Sequence, residues 1–166
     1  MPRARKAPAW LGLGLRLCAA AVWIVAGAAK LPHMQAFHIL VERYDILPHT
    51  LATSFAFLLP FLELAIGTYL GLGLFTRGTA LVGSLLFAAF MAAQASAWAR
   101  GLALDCGCFG TAVQSMVGPL TMVRDIALGI PTFLMLALPA RALSLDARLF
   151  GARDTFGELR SRLRHT

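Results

Sequence analysis

Apolar residues fall into four long blocks separated by short polar connectors. The first block runs from about Trp10 to Leu31 and carries Leu11, Leu13, Leu15, Ile24 and Val25, with small residues Gly27, Ala28 and Ala29 at its far end. Arg16 and Lys30 bound an uncharged stretch of 13 residues. At about 1.5 Å per residue this gives roughly 20 Å, short of a bilayer core near 30 Å. Both side chains must therefore snorkel or be paired, and the pattern predicts a span over about 9–31. A second span is expected over 51–75, with Pro60 and Glu63 inside it and Gly67, Gly71 and Gly73 suited to close helix contact. Thr76-Arg77-Gly78 reads as a tight turn. A third span follows over 79–99, with Gln94 as its main polar member. A fourth covers 120–139, opening with Arg124-Asp125 and interrupted by Pro131. Between the first two spans, Phe37, Leu40, Val41 and Tyr44 recur at three- and four-residue steps, which predicts a short amphipathic surface helix ended at Pro48. The expected fold is all-α: a four-helix transmembrane bundle with a short surface helix between spans one and two.

Composition supports bilayer rather than a large soluble core. The chain is 58% hydrophobic and 14% charged, with a mean hydropathy of +0.72. A soluble domain is about one-quarter charged. The net charge of +7 is concentrated at the ends. Three parts follow: a basic N-terminus over 1–8, a four-span membrane domain over 9–140, and a basic tail over 141–166 in which Leu143, Leu145, Leu149, Phe150, Phe156, Leu159 and Leu163 alternate with arginines. The tail reads as an amphipathic segment on an anionic leaflet or as a solvated extension. No basic, aromatic-interleaved soluble domain is present, so nucleic acid is not an expected partner.

Charge also sets the expected orientation. With both termini and the 76–78 turn inside, Arg3, Arg5, Lys6, Arg16, Arg77 and six tail arginines share that side. Lys30, Arg43, Arg100 and Arg124 face the other. The positive-inside bias then predicts a multi-pass inner-membrane protein with both termini cytoplasmic and the 100–119 loop on the outer side. A cleaved signal peptide is the rival reading of the first block, from its basic start and small residues at Ala26–Ala29.

The outer loop holds the candidate chemistry, Cys106-Gly107-Cys108, in a compartment that permits disulfides. Sulfurs this close bridge only with strain, part of which Gly107 relieves through unusual backbone angles. A strained disulfide is more oxidising and exchanges readily. Arg100 and Arg124 are expected near the loop, where a guanidinium favours thiolate, and Asp105 opposes them. Two other readings stand beside a thiol-disulfide role. The pair can be half of a metal site completed by His33, His38 or His49, or it can be two small apolar loop residues. Cys18 is expected in the core of span one.

Glu63 is the second signal, because a carboxylate deep in a span faces a partner or a cavity. Lys30 and Arg16 are its candidate partners, and Arg100 is a more remote one. The pair reads as a proton-transfer site or as a structural tie between spans one and two. Lys30 alone reads as a snorkelling anchor, Arg124-Asp125 as helix capping with an ion pair, and Tyr44 and Trp98 as interfacial aromatics. The histidines read as ordinary loop residues.

Several segments together resemble a known family: Ala26-Gly27-Ala28-Ala29-Lys30-Leu31, Tyr44-Asp45-Ile46-Leu47-Pro48, Leu59-Pro60-Phe61-Leu62-Glu63-Leu64 with Gly67, Arg100-Gly101 leading into Asp105-Cys106-Gly107-Cys108-Phe109-Gly110, and Arg124-Asp125. Their order over about residues 10–140 is similar to the MauE-like methylamine-utilisation membrane proteins, which are related to the DoxX-like group. The resemblance implies a four-helix membrane bundle and a role in maturing exported, disulfide-rich proteins beside a thioredoxin-like partner, with Cys106 and Cys108 as the redox pair. The leading expectation is a membrane thiol-disulfide relay, with a quinone near Glu63 as a candidate electron acceptor. A non-enzymatic scaffold anchoring a partner enzyme and a small Glu63-dependent transporter, which four spans can form only as an oligomer, are the alternatives.

Overall fold

The computed structural model describes residues 9–109 and 115–137; the basic segment 1–8 and the tail 141–166 lie outside the described residues. Among the described residues five helices follow in order: α1 (Ala9–Lys30), α2 (Met34–Arg43), α3 (His49–Leu72), α4 (Thr76–Ala99) and α5 (Pro119–Ala137), with a 3₁₀ turn at Leu31–His33 joining α1 to α2. Helices α1, α3, α4 and α5 are long and apolar enough to cross a membrane, and the protein is a multi-pass membrane protein. Large apolar side chains such as Trp10, Leu58, Leu85 and Leu120 point outward along them, as lipid-facing residues do.

Alternation of direction puts the C-terminus of α1, all of α2, the N-terminus of α3, the C-terminus of α4 and the N-terminus of α5 at one end of the bundle. The described parts of the following loop, 100–109 and 115–118, lie at that same end. Helix α2 packs its Phe37 and Leu40 face there, in one cluster with Tyr44, Ala56, Leu59, Ala97 and Leu104. The 3.6-residue period of that stripe is what seats α2 on the bundle rather than in solvent. The other end is filled by Ala19, Ala20, Trp23, Ile66, Leu70, Ala80 and Met135.

Helices α1 and α3 approach unusually closely. A Cβ placed at Gly67 would sit 2.6 Å from Ile24 Cγ1 and 2.9 Å from the Ile24 backbone nitrogen, so only glycine fits. This is the small-residue contact anticipated for the second span. A buried hydrogen bond of 3.1 Å from Trp23 Nε1 to Thr132 Oγ1 ties α1 to α5. The α3–α4 turn lies earlier than Thr76-Arg77-Gly78. Helix α3 ends at Leu72 with Gly73 left-handed (φ 68°), Phe75 is also left-handed (φ 46°), and Thr76 already begins α4. The glycine cap stops the helix before the expected polar triplet. Cys18, expected in the core, is exposed on the outer surface of α1.

Candidate functional site

The cysteine loop is held by backbone pairing and by α2. Among the described residues the strand-like contact is the antiparallel bridge of Asp105 with Met116. Around it, the Cys106 amide donates to the Ser115 carbonyl at 2.8 Å and the Val117 amide to the Leu104 carbonyl at 2.8 Å. The Tyr44 hydroxyl, buried at the end of α2, donates to the carbonyls of Asp105 (3.1 Å) and Cys106 (3.3 Å). Gly107 between the cysteines has φ 71°, and a Cβ there would lie 2.8 Å from Leu40 Cδ2. Conformation and space both demand glycine at this position.

Both sulfurs converge on Asp125, in the second turn of α5. Cys108 Sγ lies 3.3 Å and Cys106 Sγ 3.5 Å from Asp125 Oδ2. Gln94 Nε2, from α4, donates to that same oxygen at 3.0 Å and to Cys108 Sγ at 3.2 Å. The other carboxylate oxygen is held by Arg124, through Nε at 2.9 Å and Nη2 at 2.8 Å. Arg124 Nη2 also reaches Cys106 Sγ at 3.5 Å, and the Cys108 amide points at Cys106 Sγ at 3.3 Å. Both cysteines are free thiols, Cys106 buried and Cys108 half-buried.

These contacts separate the two thiols chemically. Hydrogen bonding from the Cys108 thiol is the largest effect on Cys106; with the Cys108 amide it outweighs burial and the Asp125 charge and brings Cys106 down to about 7. Donation to Cys106, then burial, pushes Cys108 well above the ordinary thiol range. The Cys108 amide and Arg124 Nη2, both aimed at Cys106 Sγ, favour Cys106 as the thiolate-forming sulfur of the pair.

Beneath the loop lies a buried ion pair. Lys30 Nζ, at the last residue of α1 and fully buried, contacts Glu63 Oε1 at 2.8 Å and Oε2 at 2.9 Å. It also donates to the Ala26 carbonyl at 3.2 Å and to the Cys108 carbonyl at 2.6 Å. The phenyl rings of Phe37 and Phe90 flank it, with centroids at 5.5 and 6.0 Å. One ammonium thus joins α1, α3 and the cysteine loop.

The structure brings together Lys30, Glu63, Cys106, Gly107, Cys108, Arg124 and Asp125. It corrects several individual roles. Lys30 does not snorkel; Glu63 holds it inside. Asp125 does not cap α5, which starts six residues earlier at Pro119; it is buried against the sulfurs. Arg100 does not serve the thiols: its guanidinium donates to the Tyr44 carbonyl and to Ser96. Asp105 acts through its backbone, and Asp125 is the acid at the sulfurs. Tyr44, read as an interfacial aromatic, is buried as a loop clamp. Gln94 went unassigned, although a buried amide in an apolar span is the signal that marks it.

The donor set also bears on metals. Ligand atoms of Cys106, Cys108 and Asp125 lie within 4.8 Å of one another, so the third ligand beside the pair is Asp125 and not a loop histidine. Two thiolates and a carboxylate would suit a thiophilic cation. An apolar cavity of about 260 Å³ adjoins the pair, lined by Phe37, Leu40, Tyr44, Phe90, Gln94 and Cys106 among others.

Comparison with known proteins identifies the family. The family model "Methylamine utilisation protein MauE" matches residues 8–138. The chain is 31% identical over 132 residues to the methylamine utilization protein MauE of Paracoccus denitrificans, covering 76% of this chain and 71% of that one. It is 34% identical over 115 residues to MauE of Methylorubrum extorquens, covering 68% and 62%. It is 31% identical over 141 residues to MauE of Paracoccus versutus, covering 84% and 73%. No solved structure matches. A bundle of four apolar helices, closed at one end by a cysteine loop, is thus found in a chain that belongs to the MauE family of methylamine-utilisation proteins.

Proposed function

We propose that the protein is a membrane thiol-disulfide relay supporting the maturation of exported proteins, with a thioredoxin-like exported protein as its exchange partner. The observation that carries this reading is the inequality of two neighbouring free thiols that meet at Asp125: Cys106, buried and faced by the Cys108 amide and Arg124, and Cys108, half-buried and faced by Gln94. Orientation follows the charge bias: both termini cytoplasmic and the cysteine loop on the outer side.

The inequality assigns the direction of exchange. In the oxidised pair, a partner thiolate attacks Cys108 Sγ, the more accessible sulfur. The Cys106–Cys108 bond breaks, and Cys106 leaves as the better thiolate, received by the Cys108 amide and Arg124. The second partner thiolate then attacks the partner sulfur of the mixed disulfide. Cys108 leaves with a proton, the partner becomes a disulfide, and the relay becomes a dithiol. A quinone-class acceptor in the adjoining cavity would reoxidise it, taking two electrons and two protons to give quinol and the Cys106–Cys108 disulfide. Gln94 lines that cavity, and its Oε1, buried without a hydrogen-bond donor, is an acceptor for a hydroxyl of the quinol form.

Mixed-disulfide trapping in membranes tests the proposal. Cys106→Ala leaves Cys108 as the only sulfur of the pair and should capture the exported partner in a reductant-sensitive adduct; Cys108→Ala should not. Absence of an adduct from either variant, with maturation of exported proteins intact in both, would favour a scaffold and overturn the relay.

A further inference from the structure

A second cluster lies on the outward face of α2. His38 and Glu42 are one helical turn apart, and His49 is the first residue of α3. Glu42 Oε1 stands 3.2 Å from His38 Nε2 and also contacts His49 Nδ1. Ligand atoms of the three residues lie within 4.8 Å of one another. Glu42 Oε1 is sealed from solvent and receives no hydrogen bond, although two ring nitrogens flank it. A carboxylate oxygen held this way is satisfied either by protonated imidazoles or by a cation shared with the two ring nitrogens. Tetrahedral coordination at about 2.0–2.1 Å separates ligand atoms by about 3.3 Å, close to the His38–Glu42 distance, and the exposed His49 ring, now in direct contact with Glu42 Oε1, must swing outward to admit the ion.

We infer that His38, Glu42 and His49 form a binding site for a borderline divalent first-row cation such as Zn²⁺. Two neutral imidazoles and one carboxylate match the hardness such ions prefer. His49 is largely exposed, which leaves a coordination position open to water. The surroundings pre-orient the ligands. The His38 ring stacks on Phe57, with centroids 5.8 Å apart, and a bound ion would displace the contact that Thr53 Oγ1 makes with the same His38 Nε2 at 2.9 Å. The ion would join α2 to the first turn of α3. The opposite face of α2 carries Leu40 and leads into Tyr44, which hold the cysteine loop, so the site braces the support of that loop from behind.

The test uses full-length protein in detergent, free of any affinity tag, in a Cys106→Ala/Cys108→Ala background so that no thiol ligates. After chelation and dialysis, Zn²⁺ is titrated by calorimetry and thermal midpoints are recorded with and without the ion. One equivalent per chain should bind and raise the midpoint. His49→Ala, at an exposed side chain that folding does not need, and Glu42→Gln should each weaken binding at least about tenfold, the scale on which losing a metal-site contact acts. Absence of Zn²⁺ binding at micromolar concentrations, or binding unchanged in both variants, would overturn the site.

Discussion

Removing Glu63 should be among the most damaging single changes in the bundle. Lys30 is fully buried, and Glu63 supplies both of its carboxylate contacts, at 2.8 and 2.9 Å. Glu63→Ala leaves an ammonium inside the bundle with only the Ala26 and Cys108 carbonyls. Breaking one side of such a pair costs about 3–5 kcal/mol, or roughly two to three and a half orders of magnitude in the folding equilibrium. Replacing both partners with apolar residues of similar volume is expected to be far milder, because neither charge is then stranded. The double variant Lys30→Met/Glu63→Leu should recover at least half of the single-variant loss. It should still loosen the cysteine loop, since the 2.6 Å bond to the Cys108 carbonyl is gone. Reversible unfolding of the reduced protein in mixed micelles measures the first effect through a double-mutant cycle, and the alkylation rate of Cys106 measures the second. Single variants costing less than about 1 kcal/mol, or an additive double variant, would refute the buried-pair argument. An unchanged alkylation rate in the double variant would refute the coupling to the loop.

Further expectations concern the site directly. In a Cys18→Ser background, alkylation of Cys106 should rise with pH through a midpoint of about 7, because the thiolate is the reacting form. Cys108→Ala removes the largest lowering effect and should move that midpoint upward; Asp125→Asn removes a charge that opposes the thiolate and should move it downward, both read by mass spectrometry. Gly107→Ala should destabilise the loop by at least about 1 kcal/mol, from the left-handed backbone alone, with further loss from the Leu40 contact. Leu40→Ala should relieve only that steric part. In intact cells a membrane-impermeant thiol reagent should label the reduced pair from outside; labelling only after permeabilisation would reverse the proposed orientation.

The fold was largely legible because bilayer-spanning segments announce themselves by length and by the absence of charge. Where the boundaries moved, local backbone chemistry decided: Gly73 ended α3 before the polar triplet that looked like the turn. The Lys30–Glu63 pair was readable because two opposite charges in apolar blocks have few other places to go. Asp125 was harder. Its position beside Arg124 near a helix start suggests a surface role, and only the packing of α5 on α4 turns it toward the sulfurs and Gln94. Arg100 misled for the converse reason: it is near the loop in sequence, yet the Tyr44 carbonyl and Ser96 occupy its guanidinium. His38, Glu42 and His49 look like scattered loop residues until the corner between α2 and α3 folds them together.

Reversible two-electron chemistry at the cysteine pair is the claim on which the function rests. Purified protein equilibrated in glutathione buffers of graded potential, acid-quenched and examined by mass spectrometry, reads the state of the Cys106–Cys108 peptide directly. The account predicts a reversible loss of about 2 Da confined to that peptide, with a midpoint above about −300 mV, the range of exchangeable rather than structural disulfides. Two thiols that persist across every buffer, or a disulfide that forms only between chains through Cys18, would contradict it.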